Sequence, residues 1–207
     1  KLDVDATGFG YDLMRHSKAF FCASSELIGL YDEGNDLRFS RYYDKYDFNN
    51  YDEGIFYVAT KNYCKASTAN EAYDQALRLE EAYLNRAEAL ARRFQAKGDG
   101  NDRVQALDDL NTLRETRFAT GTYVEEEVTD AQDLLDFCLN ERRLELCCEE
   151  GFRWFDIKRL GLSVTHKYID SEGVEREYVL ESNSPLYALP IPYDAIERNY
   201  KLKQNPR

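Results

Sequence analysis

Two stretches of regularly spaced apolar residues, separated by one glycine-rich break, are the strongest constraint on the fold. In the first stretch, over 76–94, apolar residues recur at three- and four-residue steps with charged residues between them: Leu79, Ala82, Tyr83, Ala87, Leu90 and Ala91. Gly98-Asp99-Gly100 interrupts this pattern, which then resumes over 102–117. This spacing is typical of amphipathic helices. We therefore predict a helical hairpin of roughly the length of one tetratricopeptide unit.

One helical hairpin cannot bury both of its faces, so it needs further helices to stack on. A third long helix is predicted over 130–149, with Thr129 or Asp130 as its N-cap and with Gly151 ending or kinking it. Shorter helical segments are expected at 26–31, 154–160 and 193–198. These helices are too few to complete a superhelix, and we expect the remainder in an N-terminal portion that precedes Lys1.

Two other stretches lack helical spacing. The first 75 residues include an irregular segment, 32–69, in which aromatic residues are frequent and one or two short strands are expected. Residues 162–207 contain alternating runs around Tyr168 and Tyr178, joined by a turn at 170–173, and then a tail. The predicted fold class is mainly α, with tetratricopeptide-like helical hairpins, long irregular loops and one small β-hairpin. Its segments are 1–75, 76–117, 129–161 and 162–207.

The overall charge excludes several classes of partner. The chain has 207 residues and a net charge of -12, which would repel both nucleic acid and anionic lipid headgroups. No run approaches the roughly 20 apolar residues that a membrane-spanning helix needs.

The chain has five cysteines and no C-x-x-C spacing, which favours a role as small core residues for Cys138, Cys147 and Cys148. If a disulfide forms, Cys22 with Cys64 is the favoured pair.

A cluster of charged residues lies at the end of the third predicted helix and just beyond it. It contains Glu141, Arg142, Arg143, Glu145, Glu149, Arg153 and Asp156. Two carboxylates on one helical face could perform acid and base chemistry. Arginines alternate with them at three- and four-residue steps, however, and this spacing favours a structural network of ion pairs such as Arg142 with Glu145 and Arg153 with Asp156. Trp154 is expected to belong to the core. We predict no catalytic residue.

Metal and cofactor sites are not indicated by any motif. His16 and His166 are far apart and have no second histidine at ligand spacing, so no metal site is predicted. The acidic stretches 32–36 and 47–50 do not match the ligand pattern of a calcium loop, and they are interpreted as turns. No cofactor is expected, and calcium is left open without a supporting motif.

The aromatic segment between Tyr42 and Tyr63 is the candidate ligand site. Tyrosine rings can stack on the C–H faces of sugars while neighbouring polar groups orient the hydroxyls. The predicted ligand-binding residues are Tyr42, Tyr43, Tyr46 and Tyr51. Because the chain has 16 tyrosines, plain packing of these rings is the competing interpretation.

Three groups of motifs resemble signature blocks of the C-terminal half of the SusD/RagB family. The first is RLEEAYLNRAEA at 78–89 followed by LNTLR at 110–114. The second is ERRLEL at 141–146 leading into GFRWFDIKR at 151–159, and the third is LPIP, with Pro190 and Pro192, closing with QNP at 204–206. A weaker match at 23–27, 30–31 and 36–39 extends the resemblance to nearly the whole chain. Cys147-Cys148 and Phe152 depart from the usual family residues.

The resemblance implies a non-catalytic protein of the Bacteroidetes outer surface, held by an N-terminal lipid anchor that this chain does not contain. Such proteins bind oligosaccharides or peptides and pass them to a SusC-like TonB-dependent outer-membrane transporter. We therefore expect glycan binding for polysaccharide uptake, as in the starch-binding prototype. Two alternatives remain open: a helical-repeat adaptor for a peptide or protein, and, less favoured, a glycoside hydrolase.

Overall fold

The computed structural model describes residues 23–47, 55–59, 61, 78–149, 151–169 and 175–206. The chain divides into two compact units, 1–151 and 152–207. This division falls inside the predicted segment 129–161. Tyr51, the turn at 170–173 and the cysteine pair Cys22 and Cys64 lie outside the described residues.

Three long helices form the core of the first unit. They are α3 (Leu79–Lys97), α4 (Gly100–Glu115) and α5 (Ala131–Glu145). Helix α3 packs against both α4 and α5, and the buried alanines Ala87 and Ala91 allow close approach. The predicted helical hairpin is therefore confirmed, although its first helix begins at Leu79 and not at residue 76.

Local sequence signals account for the ends of these helices. Gly98 ends α3 in a left-handed conformation with φ +70°, and Asp99 caps α4 by accepting a hydrogen bond from the amide of Asn101. Asp130 caps α5 by accepting bonds from the amides of Gln132 and Asp133. Helix α5 ends at Glu145, so the prediction that it extends to residue 149 is wrong. Leu146 already has a non-helical backbone.

Before the long helices, the described residues of the first unit form two short helices and a strand pair. These elements are α1 (Ser25–Ile28), α2 (Leu37–Tyr42), β1 (Tyr43–Asp47) and β2 (Ile55–Ala59). Ser24 caps α1 by accepting a hydrogen bond from the amide of Leu27 at 3.2 Å. Strands β1 and β2 are antiparallel, and Tyr43 is paired with Ala59. With this pair, the fold has a second small sheet in addition to the one β-hairpin of the predicted fold class.

In the second unit, the residues that the structure describes form two helices and the two paired strands of the predicted β-hairpin. Its elements are α6 (Phe152–Leu160), β3 (Val164–Ile169), β4 (Glu175–Leu180) and α7 (Tyr193–Arg198), with a 3₁₀ turn over Pro185–Tyr187. Strands β3 and β4 are antiparallel, and His166 is paired with Tyr178. Short helices are thus found at both of the predicted positions, 154–160 and 193–198, and the mainly helical fold class is confirmed.

Trp154 is partly exposed, so its predicted place in the core needs correction. Its ring centroid lies 5.8 Å from that of Tyr187, which is buried. A ring on a nine-residue helix can cover an aromatic neighbour on one side while its other side remains accessible to solvent. Trp154 therefore contributes to packing within the second unit from the margin of the core.

The two parts of the third motif block are joined by hydrogen bonds. The Gln204 side chain accepts from the amide of Ile191 at 2.8 Å and donates to the carbonyl of the same residue at 2.9 Å. Asn205 donates to the carbonyl of Leu189 at 2.6 Å. Pro190 and Pro192 are exposed, and Pro192 is the N-cap residue of α7. The amide side chains of the tail therefore bind the segment containing both prolines.

Gly161 provides a direct test of the turn between α6 and β3. Its φ is +61°, and a Cβ there would lie 2.5 Å from Oδ1 of Asn183. We expect Gly161→Ala to destabilise the protein by roughly 2 kcal/mol, because the left-handed backbone penalty and the steric clash add. Urea unfolding followed by far-UV circular dichroism measures the change.

Gly98→Ala is the matched control, since Gly98 has a similar φ of +70° but nothing within 4 Å of the added Cβ. It should cost only the backbone penalty. Equal losses for the two variants would contradict the contact with Asn183.

Candidate functional site

A buried network of ion pairs lies where α2, α4 and α5 meet, and Arg38 is at its centre. The guanidinium of Arg38 lies 2.7 Å from Oδ2 of Asp36, 2.5 Å from Oε1 of Glu141 and 3.2 Å from Oε2 of Glu145. Only 2% of the Arg38 side chain is exposed. Three carboxylates thus surround one cation that has almost no access to water.

Backbone interactions place Arg38 at this position. Asp36 caps α2 and accepts a hydrogen bond from the amide of Arg38 at 2.9 Å. The amide of Leu37 donates to the carbonyl of Arg117 at 2.8 Å, and the amide of Ala119 donates to the carbonyl of Asn35 at 2.9 Å. The loop before α2 is therefore fastened to the segment that follows α4, which brings Arg38 and Arg117 to the same carboxylates.

Two further arginines complete the network on the side of α4. Arg114 lies 2.5 Å from Oε2 of Glu141, and Arg117 contacts Glu145 at 2.9 Å and Glu80 at 3.0 Å. The Arg114 guanidinium also lies 5.0 to 5.8 Å from the ring centroids of three aromatic residues: Phe118, Tyr123 and Phe137. These rings shield the ion pair from water and stabilise the cation.

The network continues beyond the end of α5 through Lys61 and Glu149. Nζ of Lys61 lies 2.6 Å from Oε1 of Glu149 and also donates to the carbonyl of Glu145. Arg78 approaches the same Glu149 oxygen at 2.8 Å. These contacts hold the turn after α5, where the helix has ended and its last carbonyls lack helical partners.

The environment of Glu145 favours its charged form. Burial raises the pKa of this carboxyl, but the hydrogen bonds and charge of Arg117, with the charges of Arg38 and Lys61, lower it further than burial raises it. A general acid at neutral pH needs the opposite shift. Glu141 and Glu145 are 0% and 1% exposed, so neither oxygen pair faces a space that a substrate could occupy. This arrangement is that of a structural network.

The other predicted signature residues surround this network or lie in the second unit. Arg142 donates to Oδ1 of Asn85 at 2.8 Å, and Arg143 pairs with the exposed Glu26 at 2.8 Å. In α6, Asp156 is buried and pairs with Arg159 at 2.7 Å, while Arg153 is half-buried. The ion pairs of Glu145 run to Arg38 and Arg117, so the predicted pair of Arg142 with Glu145 is wrong.

The candidate ligand tyrosines have different environments. Tyr43 is 4% exposed, and its hydroxyl donates to Sγ of Cys147 at 3.2 Å. Tyr42 is half-buried, with Nζ of Lys61 4.3 Å from its ring centroid. The backbone of Tyr46 is in β1, paired with Phe56. The structure thus accounts for Tyr43 as a packing residue, whose ring lies in the core with Tyr31, Ile28 and Leu144.

Sequence reasoning missed the cations that pair with Glu141 and Glu145. Arg38 and Arg114 lie inside motif blocks quoted for the family resemblance, and Arg117 follows the second of these blocks by three residues. The presence of these arginines in or near the motif blocks, in a chain with two carboxylates on one helix face, was the available signal. The pairing itself spans 103 residues between Arg38 and Glu141 and could not be assigned without the fold.

The described residues include neither a metal-binding cluster nor a membrane-spanning helix. Within those ranges, no three His, Cys, Asp or Glu side chains are grouped so that they could hold a metal ion. Among the helices described, none is both long enough and apolar enough to cross a membrane.

Comparison with known proteins identifies one family. The sequence model of the SusD family matches residues 24–207. A solved structure, a SusD-like protein from Bacteroides fragilis, is 26% identical, with a TM-score of 0.44 and coverage of 73% of this chain. The chain spans 30% of that protein's length. No curated protein matches the chain.

Removing the central cation tests whether the network stabilises the fold. We expect Arg38→Met to lower the free energy of unfolding by about 3 to 5 kcal/mol, because the buried carboxylates around it lose their shared partner. Urea unfolding at pH 7 measures the loss. Lys167→Met is the control, since Lys167 pairs with Glu177 and the side chains of both residues are more than half exposed. It should change stability much less, and equal losses would refute the central role of Arg38.

The lowered pKa of Glu145 predicts a dependence of stability on acid. The folded-state pKa lies below the unfolded value of about 4.3, so the contribution of Glu145 is present above that pH and is lost as the pH falls further. Thermal melts from pH 7 to pH 3 should therefore show a steeper acid loss for the wild type than for Glu145→Gln. Glu177→Gln, at an exposed pair in the second unit, should retain the wild-type slope. Parallel curves for wild type and Glu145→Gln would contradict the assignment.

Proposed function

The chain belongs to the SusD family, and from that membership we propose that it serves in non-catalytic capture of glycans at the bacterial cell surface. The match over residues 24–207 is the observation that carries this proposal, because it includes all of the described elements. Glycan capture fits a chain with many aromatic side chains, since aromatic rings stack on the C–H faces of sugars and neighbouring polar groups bind the hydroxyls.

The absence of catalysis is proposed on the chemistry of the acidic residues. Glu141 and Glu145 are the carboxylates whose spacing on one helix face most resembles an acid and base pair. Both are buried and bound by arginines, and the Glu145 pKa is shifted away from that of a proton donor. A glycosidase needs carboxyl groups that reach the substrate from both sides of the bond. These two carboxyl groups instead face the protein's own cations.

We propose that the ligand contacts of this chain are made by the segment that begins with β1. Tyr43 begins β1 inside the core, and Tyr46 follows in the same strand. Because Tyr43 packs in the core, we propose Tyr46 and Tyr51 as the main ligand-binding residues. Tyr42 is a weaker candidate because Lys61 lies over its ring at 4.3 Å. The buried network and the core around Tyr43 would then hold the first residue of the binding segment in place.

The cellular setting is proposed from the family alone. We place the protein on the outer membrane, held by an N-terminal lipid anchor, where it would pass an oligosaccharide to a SusC-like TonB-dependent transporter. The net charge of -12 is compatible with this setting, because the ligand would be recognised by ring stacking and hydrogen bonds without a basic surface.

Glycan binding can be tested in two steps. A glycan array probed with this polypeptide, and with the longest protein that its gene encodes, identifies an oligosaccharide. Calorimetry then measures its affinity for each. We expect Tyr46→Ala and Tyr51→Ala each to weaken binding, by roughly 1 kcal/mol for loss of one stacked ring. The affinity of the longer protein should be higher, since a partial site must spend free energy on ordering.

Tyr200→Ala is the matched control, because Tyr200 is 87% exposed and lies in the second unit. It should leave the affinity unchanged. Binding of peptides with no response to any sugar would support the adaptor alternative and refute glycan capture. Unchanged sugar affinity in the Tyr46 and Tyr51 variants would refute the placement of the site.

A further inference from the structure

The adjacent residues Cys147 and Cys148 follow the end of α5 and have unlike environments. Cys147 is 5% exposed, and its Sγ accepts a hydrogen bond from the hydroxyl of Tyr43 at 3.2 Å. The hydroxyl of Tyr31 lies 3.3 Å from the same sulfur, and the carbonyl of Leu144 lies at the same distance. Cys148 is partly exposed. Both residues are in the thiol state.

The backbone at Cys148 is unusual. Its φ is +59°, in the left-handed region that residues with a side chain rarely adopt. A non-glycine residue held in this region costs of order 1 to 3 kcal/mol and persists only where its surroundings require it. Here the flanking residues are fixed, because Cys147 is held by two tyrosines and Glu149 by Lys61 and Arg78. The strained position therefore lies between two anchored side chains.

The polar surroundings of Cys147 differ from those of the other buried cysteine. Burial raises the pKa of Cys147, but hydrogen bonds with Cys148, Tyr31 and Tyr43 and the charge of Lys61 together lower it to about 6. By contrast, burial raises the pKa of Cys138, in α5, to about 12. A thiolate is the form of cysteine that attacks disulfides. The hydrogen bonds and the charge of Lys61 thus favour the thiolate form of Cys147, although almost no solvent reaches it.

We propose that Cys147 and Cys148 are an oxidisable pair, which closes to a disulfide between neighbouring residues by exchange with a small-molecule disulfide such as oxidised glutathione. The Cys148 thiolate attacks one sulfur of the reagent and displaces one glutathione thiolate, which leaves a mixed disulfide on the partly exposed residue. The Cys147 thiolate then attacks Sγ of Cys148 and displaces the second glutathione thiolate.

This exchange is balanced and reversible. The two cysteine thiols give up two protons and two electrons, and the reagent disulfide becomes two glutathione thiols. Consecutive Cα atoms are about 3.8 Å apart, shorter than the 4.4 to 6.8 Å that disulfides usually span. A bond across this separation is strained and therefore easily reduced. The pair is suited to cycling and not to permanent cross-linking.

Closure would act on the core through Tyr43. In the closed form Sγ of Cys147 is bonded to Sγ of Cys148, and a disulfide sulfur accepts hydrogen bonds more weakly than a thiolate does. The buried hydroxyl of Tyr43, the first residue of β1, would then have a weaker partner than in the reduced protein. We expect the oxidised protein to melt at a lower temperature than the reduced protein, and dithiothreitol to restore the original value.

Trypsin makes the reaction simple to follow, because cleavage after Arg143 and Arg153 releases both cysteines in one peptide that contains no other cysteine. The folded 207-residue chain is treated with oxidised glutathione, quenched by alkylation and digested. In the wild type we expect peptide 144–153 to lose two hydrogen atoms without gaining an alkyl group. In Cys147→Ser, glutathione should remain attached to Cys148. In Cys148→Ser, the buried Cys147 should react much more slowly.

Cys138→Ser is the control and should close like the wild type, because Cys138 is buried in α5 apart from the pair. A stable glutathione adduct on wild-type Cys148, without closure, would overturn the proposal. If Cys147 in Cys148→Ser reacted with oxidised glutathione as fast as Cys148 does in Cys147→Ser, the proposed order of attack would be overturned. An unchanged melting temperature after complete closure would overturn the coupling to Tyr43. This measurement uses the wild-type protein, so it does not depend on whether a variant folds.

Discussion

The ion pairs of Arg38 with Asp36, Glu141 and Glu145 are the interaction on which the first unit depends. Charges lose several kcal/mol of hydration on burial, so each must find a partner of opposite sign in good geometry. Arg38 supplies that partner for three carboxylates at once, and Arg114 and Arg117 complete the set from the end of α4 and just beyond it. The requirement is mutual, since none of these groups can be buried alone. The network therefore fixes how α2, α4 and α5 come together.

The same network anchors the strand pair that lies between α2 and α3. Glu145 is bound by Arg38 and Arg117 through its side chain and by Lys61 through its carbonyl. Lys61 follows β2 closely, and its amide donates to the carbonyl of Tyr42. The two strands and the core tyrosine Tyr43 are consequently anchored to the end of α5. A binding segment that begins at β1 would start from a rigid base, which reduces the ordering cost of ligand binding.

Regular helices were the part of the fold that the sequence predicted well. Ala87, Leu90 and Ala91 are buried as their spacing predicts, although Leu79 in the same pattern is 70% exposed. Asp130 is the N-cap of α5, as predicted. These features depend on neighbours within a few positions. The partners of Glu141 and Glu145 depend on contacts more than 25 residues away, so helical spacing wrongly suggested Arg142. The prediction of the ligand site has the same limit. A tyrosine that packs in the core, such as Tyr43, has the same local sequence pattern as a tyrosine that binds a ligand.

A double-mutant cycle between Arg38 and Glu141 tests the central role of the network most directly. The free energies of unfolding of Arg38→Met, Glu141→Gln and the double variant are measured by urea denaturation at pH 7. If the two groups are buried partners, the double variant should be more stable than the sum of the single losses implies, by roughly 1 to 3 kcal/mol. Additive losses would show that Arg38 and Glu141 act independently, and they would contradict a fold organised around this pair.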